Sequence, residues 1–155
     1  MVKTATVDLT AITEAVESVV DPEIPVLTID ELGILRSVDW NDGQLVVTIT
    51  PTYSGCPAMR QIEDDVVAAV QRLGVDQIEV RTTYSPAWTT DWISEEGHRK
   101  LAEFGIAPPT ALEEVVCPRC AEDSPRLIAR FGSTACKALM VCSVCGEPFD
   151  YFKKH

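Results

Sequence analysis

Two cysteine pairs near the C-terminus constrain the fold of this chain more than any other feature. The pairs are Cys117 with Cys120 and Cys142 with Cys145, each in a C-x-x-C pattern. The 21 residues between them are close to the spacing of two metal-binding turns joined by a hairpin. Both sulfurs of a C-x-x-C turn point to the same side, so two facing turns supply four thiolates in a tetrahedral arrangement. The sequence therefore predicts a four-cysteine metal site in a C-terminal ribbon.

The closed set of four thiolates favours Zn²⁺ in a structural role. A single iron or an iron–sulfur cluster is also compatible with such ligands. Disulfides are disfavoured because paired C-x-x-C motifs in a reducing compartment are typical of metal ligands. A unit this small cannot bury enough apolar surface to fold unaided, so we expect the metal to stabilise it. The connecting strands are predicted at Leu127–Phe131 and Cys136–Val141.

Composition and charge exclude several classes of protein. With 155 residues, 46% of them hydrophobic, the chain can form one sizeable core plus a small appendage. The formal net charge of −11, with basic residues scattered except at Lys153 and Lys154, argues against a nucleic-acid partner. No long apolar run occurs, and Met1–Thr10 has no apolar block, so we expect neither a membrane helix nor a secretory signal. The predicted location is cytoplasmic.

Hydrophobic periodicity predicts an α+β fold for residues 1–109, followed by the zinc ribbon over residues 110–155. The predicted order is helix, hairpin, helix, strand and a last short helix. Thr10 is the expected N-cap of the first helix. The predicted elements are a helix at Thr10–Val20, hairpin strands at Ile34–Trp40 and Gln44–Thr50 around Asn41-Asp42-Gly43, a helix from Cys56-Pro57 to just before Gly74, a strand at Val75–Thr83, and a helix opened by Ser94-Glu95-Glu96 that carries Leu101 and Phe104.

Cys56 lies where a predicted strand ends and a predicted helix begins, with Pro57 suited to the first helical position. Backbone amides and the positive end of the helix dipole at that place lower the pKa of a thiol and favour nucleophilic or metal-ligand behaviour. The alternative is a cysteine that is simply packed at a helix start. The two histidines, His98 and His155, are distant in sequence, so a Cys–His hydrolase has little support.

Two further features have both a structural and a functional interpretation. The segment Asp21-Pro22-Glu23 places two carboxylates on a rigid turn, which by spacing alone is an ordinary turn device. Cys136 is expected to be a buried cysteine that acts as a small hydrophobic residue. Its alternative role is a fifth thiol that transiently accepts metal or a cluster.

Several long motifs of the chain resemble known families. The segments DPEIPVLTIDELGIL (21–35) and TPTYSGCPAM (50–59) resemble cytosolic iron–sulfur assembly factors. The segments SPAWTTDWISEEGHRKLAEFGIAPP, CPRC, FGSTACKAL and CGEPFDYFKKH closely resemble the PaaD family, whose members are components of phenylacetyl-CoA epoxidase systems. On this resemblance, Asp21, Glu23, Thr52 and Cys56 match the assembly-factor motif. Thr50 is an alternative to Thr52, because both closely precede Cys56.

The resemblance implies an accessory protein without catalytic activity of its own, acting in aerobic phenylacetate degradation. It would assist iron–sulfur or iron maturation of the reductase and oxygenase components, with Cys56 as a transient ligand for iron or a cluster and Asp21 or Glu23 assisting. In agreement, the sequence lacks a Glu-x-x-His pair, a glycine-rich dinucleotide fingerprint and plant-type ferredoxin spacing. A second hypothesis is a non-catalytic scaffold in which Trp88, Trp92 and the ribbon dock onto the reductase or oxygenase. Self-association as a homodimer stays open.

Overall fold

The structure, a computed structural model, describes residues 7–155 and forms two compact units. The first unit ends at Trp88 and the second comprises Thr89–His155. The prediction that Met1–Thr10 carries no secretory signal falls mostly on residues 1–6, which lie outside the described residues. The predicted domain boundary between residues 109 and 110 stays a prediction, and the compact units divide earlier in the chain.

The first unit is an α+β fold in which two helices accompany a three-stranded sheet. The strand order is β1-β2-β3, with β1 antiparallel to β2 and β3 parallel to β2. The parallel pair is possible because α2 crosses between β2 and β3. The elements are α1 Leu9–Glu17, β1 Leu35–Asn41, β2 Gln44–Ile49, α2 Ala58–Gln71 and β3 Ile78–Thr82.

The start of α1 differs from the prediction. Asp8, not Thr10, is the N-cap, because the Asp8 carboxylate accepts a hydrogen bond from the Thr10 amide at 3.2 Å. The helix also ends at Glu17 rather than Val20. Its periodicity was predicted correctly, since Ile12 and Val16 are buried on one face.

The hairpin confirms the turn chemistry of the sequence. Asn41 pairs with Gln44, so Asp42 and Gly43 form a two-residue turn with φ values of 48° and 82°. Positive φ at both positions is typical of the turn that matches the right-handed twist of the strands. The turn fixes the register in which Leu45 and Val47 enter the core.

The start of α2 sets the position of Cys56. Pro57 is the N-cap, with φ −68° and ψ −20°, and the first helical residue is Ala58 rather than the predicted Pro57. Ile62, Val66 and Val70 are fully buried at helical spacing, as predicted. Cys56 therefore lies in the connection between β2 and α2.

The second unit contains a helix and a four-stranded sheet of order β4-β7-β6-β5. As predicted, Ser94 caps the helix, and its hydroxyl accepts from the Gly97 amide at 3.0 Å. Phe104 follows the helix and is exposed rather than packed. The sequence missed β4 and β7, and β5 and β6 lie within two residues of their predicted bounds. The elements are α3 Glu95–Glu103, β4 Ile106–Ala107, β5 Pro125–Ala129, β6 Lys137–Cys142 and β7 Pro148–Phe152.

The core of the second unit includes the first cysteine of each C-x-x-C pair. Met140, Phe149 and Tyr151 are buried from adjacent strands and cluster with Cys117 and Cys142. Across residues 7–155, no helix has the length and apolarity needed to cross a bilayer.

Candidate metal centre and candidate transfer site

The four cysteine sulfurs of the ribbon converge on one point. Their Sγ atoms all lie within 4.8 Å of one another. The Cys117 and Cys145 sulfurs are 3.8 Å apart, and the Cys120 and Cys142 sulfurs are 3.6 Å apart. Metal–sulfur bonds of about 2.3 Å in a tetrahedron give sulfur–sulfur distances of about 3.8 Å. The four predicted ligands are thus placed where one tetrahedral ion fits, and we describe them as a metal-binding site.

The two C-x-x-C turns share one hydrogen-bond pattern. The amide of the residue after the second cysteine donates to the carbonyl of the first, from Ala121 to Cys117 at 2.8 Å and from Gly146 to Cys142 at 3.0 Å. The amide of the first cysteine donates in return to the carbonyl five positions later, at 2.9 Å in both turns. This equivalence holds the two pairs of sulfurs in matching orientations.

The backbone of the second turn favours the thiolate form of one of the four cysteines, Cys142. The backbone amides of Cys145 and Val144 point at the Cys142 sulfur and lower its pKa to about 7. Arg119 of one turn and Glu147 of the other form an exposed ion pair at 2.6 Å. A bound cation deprotonates coordinating thiols outright, so these amides would stabilise thiolates already committed to the metal.

Cys136 is not a member of the four-sulfur cluster. It is buried, and its sulfur lies 3.0 Å from the Thr134 hydroxyl. This environment agrees with the packing interpretation of Cys136, whereas an exchangeable fifth ligand needs exposure.

The candidate transfer site in the first unit is built around Cys56. The thiol is half-buried immediately before α2 and accepts a hydrogen bond from the Ala58 amide, with Tyr53 as a second hydrogen-bond partner. The helix amide that the sequence predicts at this sulfur is therefore present.

The predicted direction of the Cys56 pKa shift is wrong. Burial raises the pKa of the thiol, and the negative charges of Glu23 and Asp21 raise it further. The Ala58 amide and the Tyr53 side chain lower this pKa, but burial and the carboxylates outweigh them. The fold thus brings the Asp21 turn within electrostatic range of Cys56, as the resemblance implies, and the thiol stays protonated at neutral pH.

The Asp21 turn is rigid because its carboxylate is used by the backbone. Asp21 is 6% exposed, and its Oδ1 accepts from the amides of Glu23 and Ile24, both at 2.8 Å. The Asp21 amide donates to the Leu27 carbonyl at 2.9 Å. The turn interpretation is therefore correct, and the same turn holds the Glu23 carboxylate beside the site.

Thr50, the alternative motif threonine, has the more unusual environment. It is 1% exposed, and within residues 7–155 its hydroxyl has no hydrogen-bond partner. Thr52 is half-buried. A buried unsatisfied hydroxyl costs about 1–3 kcal/mol and is rare in native proteins. No sequence signal reveals this, because burial depends on the tertiary fold.

The tryptophan pair does not form the exposed anchor that the scaffold hypothesis needs. Trp88 is buried, and its Nε1 donates to the Leu32 carbonyl at 2.8 Å. Trp92 is half-buried in the short 3-10 turn Thr90–Trp92. The core-packing interpretation is correct for Trp88.

Comparison with known proteins divides the chain in a similar way. The family model described as "Iron-sulfur cluster assembly protein" matches residues 9–80, and the one described as "PaaD zinc beta ribbon domain" matches residues 106–153. An Escherichia coli K12 protein named as the D component of 1,2-phenylacetyl-CoA epoxidase is 47% identical over 140 residues, which is 86% of this chain and 85% of that protein.

Other relatives match only part of the chain. An Fe-S protein maturation auxiliary factor of Porphyromonas gingivalis is 39% identical over 92 residues, 58% of this chain and 87% of that protein. The crystal structure of a DUF59 domain from Bacillus anthracis has a TM-score of 0.55 at 29% identity, covering 59% of this chain and 89% of that one. A conserved hypothetical protein from Thermotoga maritima has a TM-score of 0.50 at 29% identity, with coverage of 59% and 91%. Much of the remaining chain has no counterpart in these proteins.

Proposed function

Because this chain belongs to the PaaD family, the D components of 1,2-phenylacetyl-CoA epoxidase, we propose that it assists maturation of the iron–sulfur component of that system. Its role is accessory, in line with the maturation factors that match part of the chain. The proposed partners are the reductase and oxygenase components, and the proposed location is the cytoplasm.

One observation carries the proposal for the site. The half-buried Cys56 thiol lies where the carboxylates of Glu23 and Asp21 act on it electrostatically. A soft sulfur ligand beside hard oxygen ligands suits iron, and a cation would neutralise negative groups that otherwise repel one another. The same carboxylates disfavour a free thiolate, so the arrangement supports a cation ligand better than a nucleophile.

The cargo is iron or a small cluster, held transiently at Cys56. In this proposal Glu23, which is half-buried, supplies a carboxylate at the cargo, while Asp21 acts mainly by fixing the turn. Thr50 or Thr52 supplies a hydroxyl. A single thiolate with few other ligands binds more weakly than a closed cage of four, and weak ligation favours transfer to a protein with more cysteine ligands.

For the ribbon we propose Zn²⁺, bound by Cys117, Cys120, Cys142 and Cys145. The supporting observations are the sulfur–sulfur distances and the match to a zinc ribbon family. Zinc has no redox chemistry of its own, so its contribution is to the stability of the second unit. The chemistry of transfer is thereby assigned to the first unit.

The proposal is tested by co-expressing the reductase and oxygenase components with this chain. Three versions are compared: wild type, Cys56→Ser, and Cys136→Ser as a control that removes a different thiol. We expect Cys56→Ser to lower iron and acid-labile sulfide per reductase to the level found without the chain, and Cys136→Ser to retain the wild-type level. Full cluster content with Cys56→Ser would refute transfer through this thiol.

A further inference from the structure

The second unit contains a cavity of about 440 Å³, which we call the ribbon groove. It lies between the connection that precedes the first metal-binding turn and the outer part of the sheet. Its lining combines apolar and cationic side chains and comprises Thr110, Ala111, Leu112, Leu127, Arg130, Phe131, Ala138, Tyr151, Lys153 and Lys154. None of these residues belongs to the four-sulfur cluster or to the Cys56 site.

Large apolar side chains of the groove are exposed to water. Phe131 is 67% exposed, Leu112 is 52% exposed and Leu127 is 43% exposed. The neighbouring Ile128 on β5 is also exposed. Isolated exposed apolar residues are ordinary, but several around one concavity are characteristic of a binding surface.

The charge at the groove is opposite to that of the chain as a whole. The formal net charge is −11, yet Arg130, Lys153 and Lys154 all line this one cavity. Within the described range 7–155, neither Arg130 nor Lys154 forms a side-chain ion pair with a carboxylate. The carboxylate of Glu113 acts electrostatically on Tyr151 of the lining, so the positive part of the groove is at Arg130, Lys153 and Lys154, where an anionic group can approach.

The groove is held in shape by its own contacts. The Tyr151 hydroxyl donates to the Thr110 carbonyl at 2.7 Å, and burial followed by the charge of nearby Glu113 raises the pKa of Tyr151, which keeps this donor protonated. The Lys153 ammonium lies 4.2 Å from the centroid of the Phe131 ring and donates to the Arg130 carbonyl at 2.9 Å. A preformed groove lowers the entropic cost of binding.

We propose that the ribbon groove is a docking site for an extended, acidic segment of a partner protein. A large apolar side chain of that segment packs against Leu127 and Phe131, and its flanking carboxylates pair with Arg130 and Lys154. An extended segment is favoured because β5 is an edge strand of its sheet, beside which a further chain can run. This inference does not depend on transfer through Cys56.

The location of the groove fits a role in partner choice. The iron–sulfur assembly match ends at residue 80, whereas every residue of the groove lies within a few positions of the ribbon match at 106–153. The ribbon is the part that this chain has in addition to the assembly domain. A docking surface there would direct an assembly domain to one acceptor.

The test uses the full-length, zinc-loaded, ¹⁵N-labelled protein and three blocked octapeptides. One alternates Phe with Glu, the second alternates Phe with Lys, and the third alternates Ser with Glu. We expect the Phe–Glu peptide to shift the amide resonances of Arg130, Phe131 and Lys154. Its Kd should be about tenfold or more below the Kd of each of the other two peptides. Absence of shifts, shifts elsewhere, or equal binding of the Phe–Lys peptide would overturn the proposal.

Variants and other occupants complete the test. Phe131→Ser and Lys154→Glu should each weaken binding about tenfold, whereas Trp40→Ser and Arg60→Glu, which change exposed residues of the first unit, should not. Each variant is folded if its spectrum matches the wild-type spectrum at all residues away from the substitution. Tighter binding of 3-phenylpropionate than of the Phe–Glu peptide would make the groove a small-ligand cavity, and binding of phosphatidylglycerol vesicles alone would make it a lipid surface; either result refutes the proposal.

Discussion

Ala121 and Gly146 occupy equivalent positions in the two metal-binding turns, and both have positive φ, 63° and 75°. Each follows the second cysteine of its C-x-x-C pair and donates its amide to the carbonyl of the first cysteine. Glycine adopts this conformation without steric cost, whereas alanine places its Cβ close to the following carbonyl oxygen. The first turn therefore carries a backbone strain that the second does not.

Exchanging these two residue types should change ribbon stability in opposite directions. We expect Ala121→Gly to stabilise the zinc-loaded ribbon by about 1 kcal/mol and Gly146→Ala to destabilise it by about the same amount. Apart from the atoms of Gly146 and its two chain neighbours, no atom lies within 4 Å of a Cβ placed at Gly146, so the effect of the substitution arises from the local backbone conformation. Thermal unfolding and zinc affinity in competition with a chelator measure the effects of both substitutions. Equal effects of the same sign would contradict the view that the two turns have equivalent backbone conformations.

Metal removal should unfold the second unit selectively. Cys117 and Cys142 belong to its buried core, so losing their common ligand disrupts packing as well as coordination. Structural zinc supplies on the order of 10 kcal/mol of folding free energy. Hydrogen exchange after treatment with a strong zinc chelator should show loss of protection in β5, β6 and β7 and retained protection in β1 and β2. Protection that survives in all five strands would show that the ribbon folds without metal.

The buried hydroxyl of Thr50 is expected to lower the stability of the fold while it contributes to function. Thr50→Val removes a buried group that has no hydrogen-bond partner within residues 7–155, and should raise the free energy of unfolding by roughly 1–3 kcal/mol. If this hydroxyl serves the cargo, the same variant should mature less reductase. Thr52→Val is the matched control and should leave stability nearly unchanged. Denaturant unfolding together with reductase iron content separates the two threonines; a Thr50→Val protein that is less stable would refute the prediction.

The raised pKa of Cys56 makes its reactivity depend on pH and on Glu23. In a Cys136→Ser, zinc-loaded background, alkylation of Cys56 should rise with pH through a midpoint above the usual thiol pKa, because burial and then the Glu23 and Asp21 charges oppose the thiolate. Glu23→Gln removes one of these charges, lowers the pKa and should speed alkylation severalfold at neutral pH. Glu14→Gln, on the exposed face of α1, should have no effect. An unchanged rate in Glu23→Gln would show that the carboxylate does not act on the thiol.

Local signals in the sequence predicted the features that depend on local chemistry. The Asp42-Gly43 turn, the Ser94 cap and the spacing of the two C-x-x-C pairs all follow from residues close together in the chain. The predicted α+β fold is confirmed because hydrophobic periodicity, which indicates helices and strands, is also a pattern of residues close together in the chain. The prediction of Thr10 as the N-cap was wrong. The helix begins earlier, and the Asp8 carboxylate caps it by accepting a hydrogen bond from the Thr10 amide.

Features that depend on distant residues could not be predicted in this way. Strand β4 is two residues long and exists only through parallel pairing with β7, more than 40 positions later. The direction of the Cys56 pKa shift depends on burial and on carboxylates from a turn more than 30 residues earlier. The buried state of the Thr50 hydroxyl is likewise a product of tertiary packing.

The most direct test of the account is cluster transfer from the isolated protein. The chain is loaded anaerobically with iron and sulfide, freed of excess, and mixed with cluster-free reductase, and cluster formation on the reductase is followed by circular dichroism. Wild type and Cys136→Ser should each deliver a cluster, while Cys56→Ser, with its ribbon zinc intact, should bind no transferable iron and deliver none. Delivery by Cys56→Ser at the wild-type rate would contradict the assignment of Cys56 as the transfer ligand.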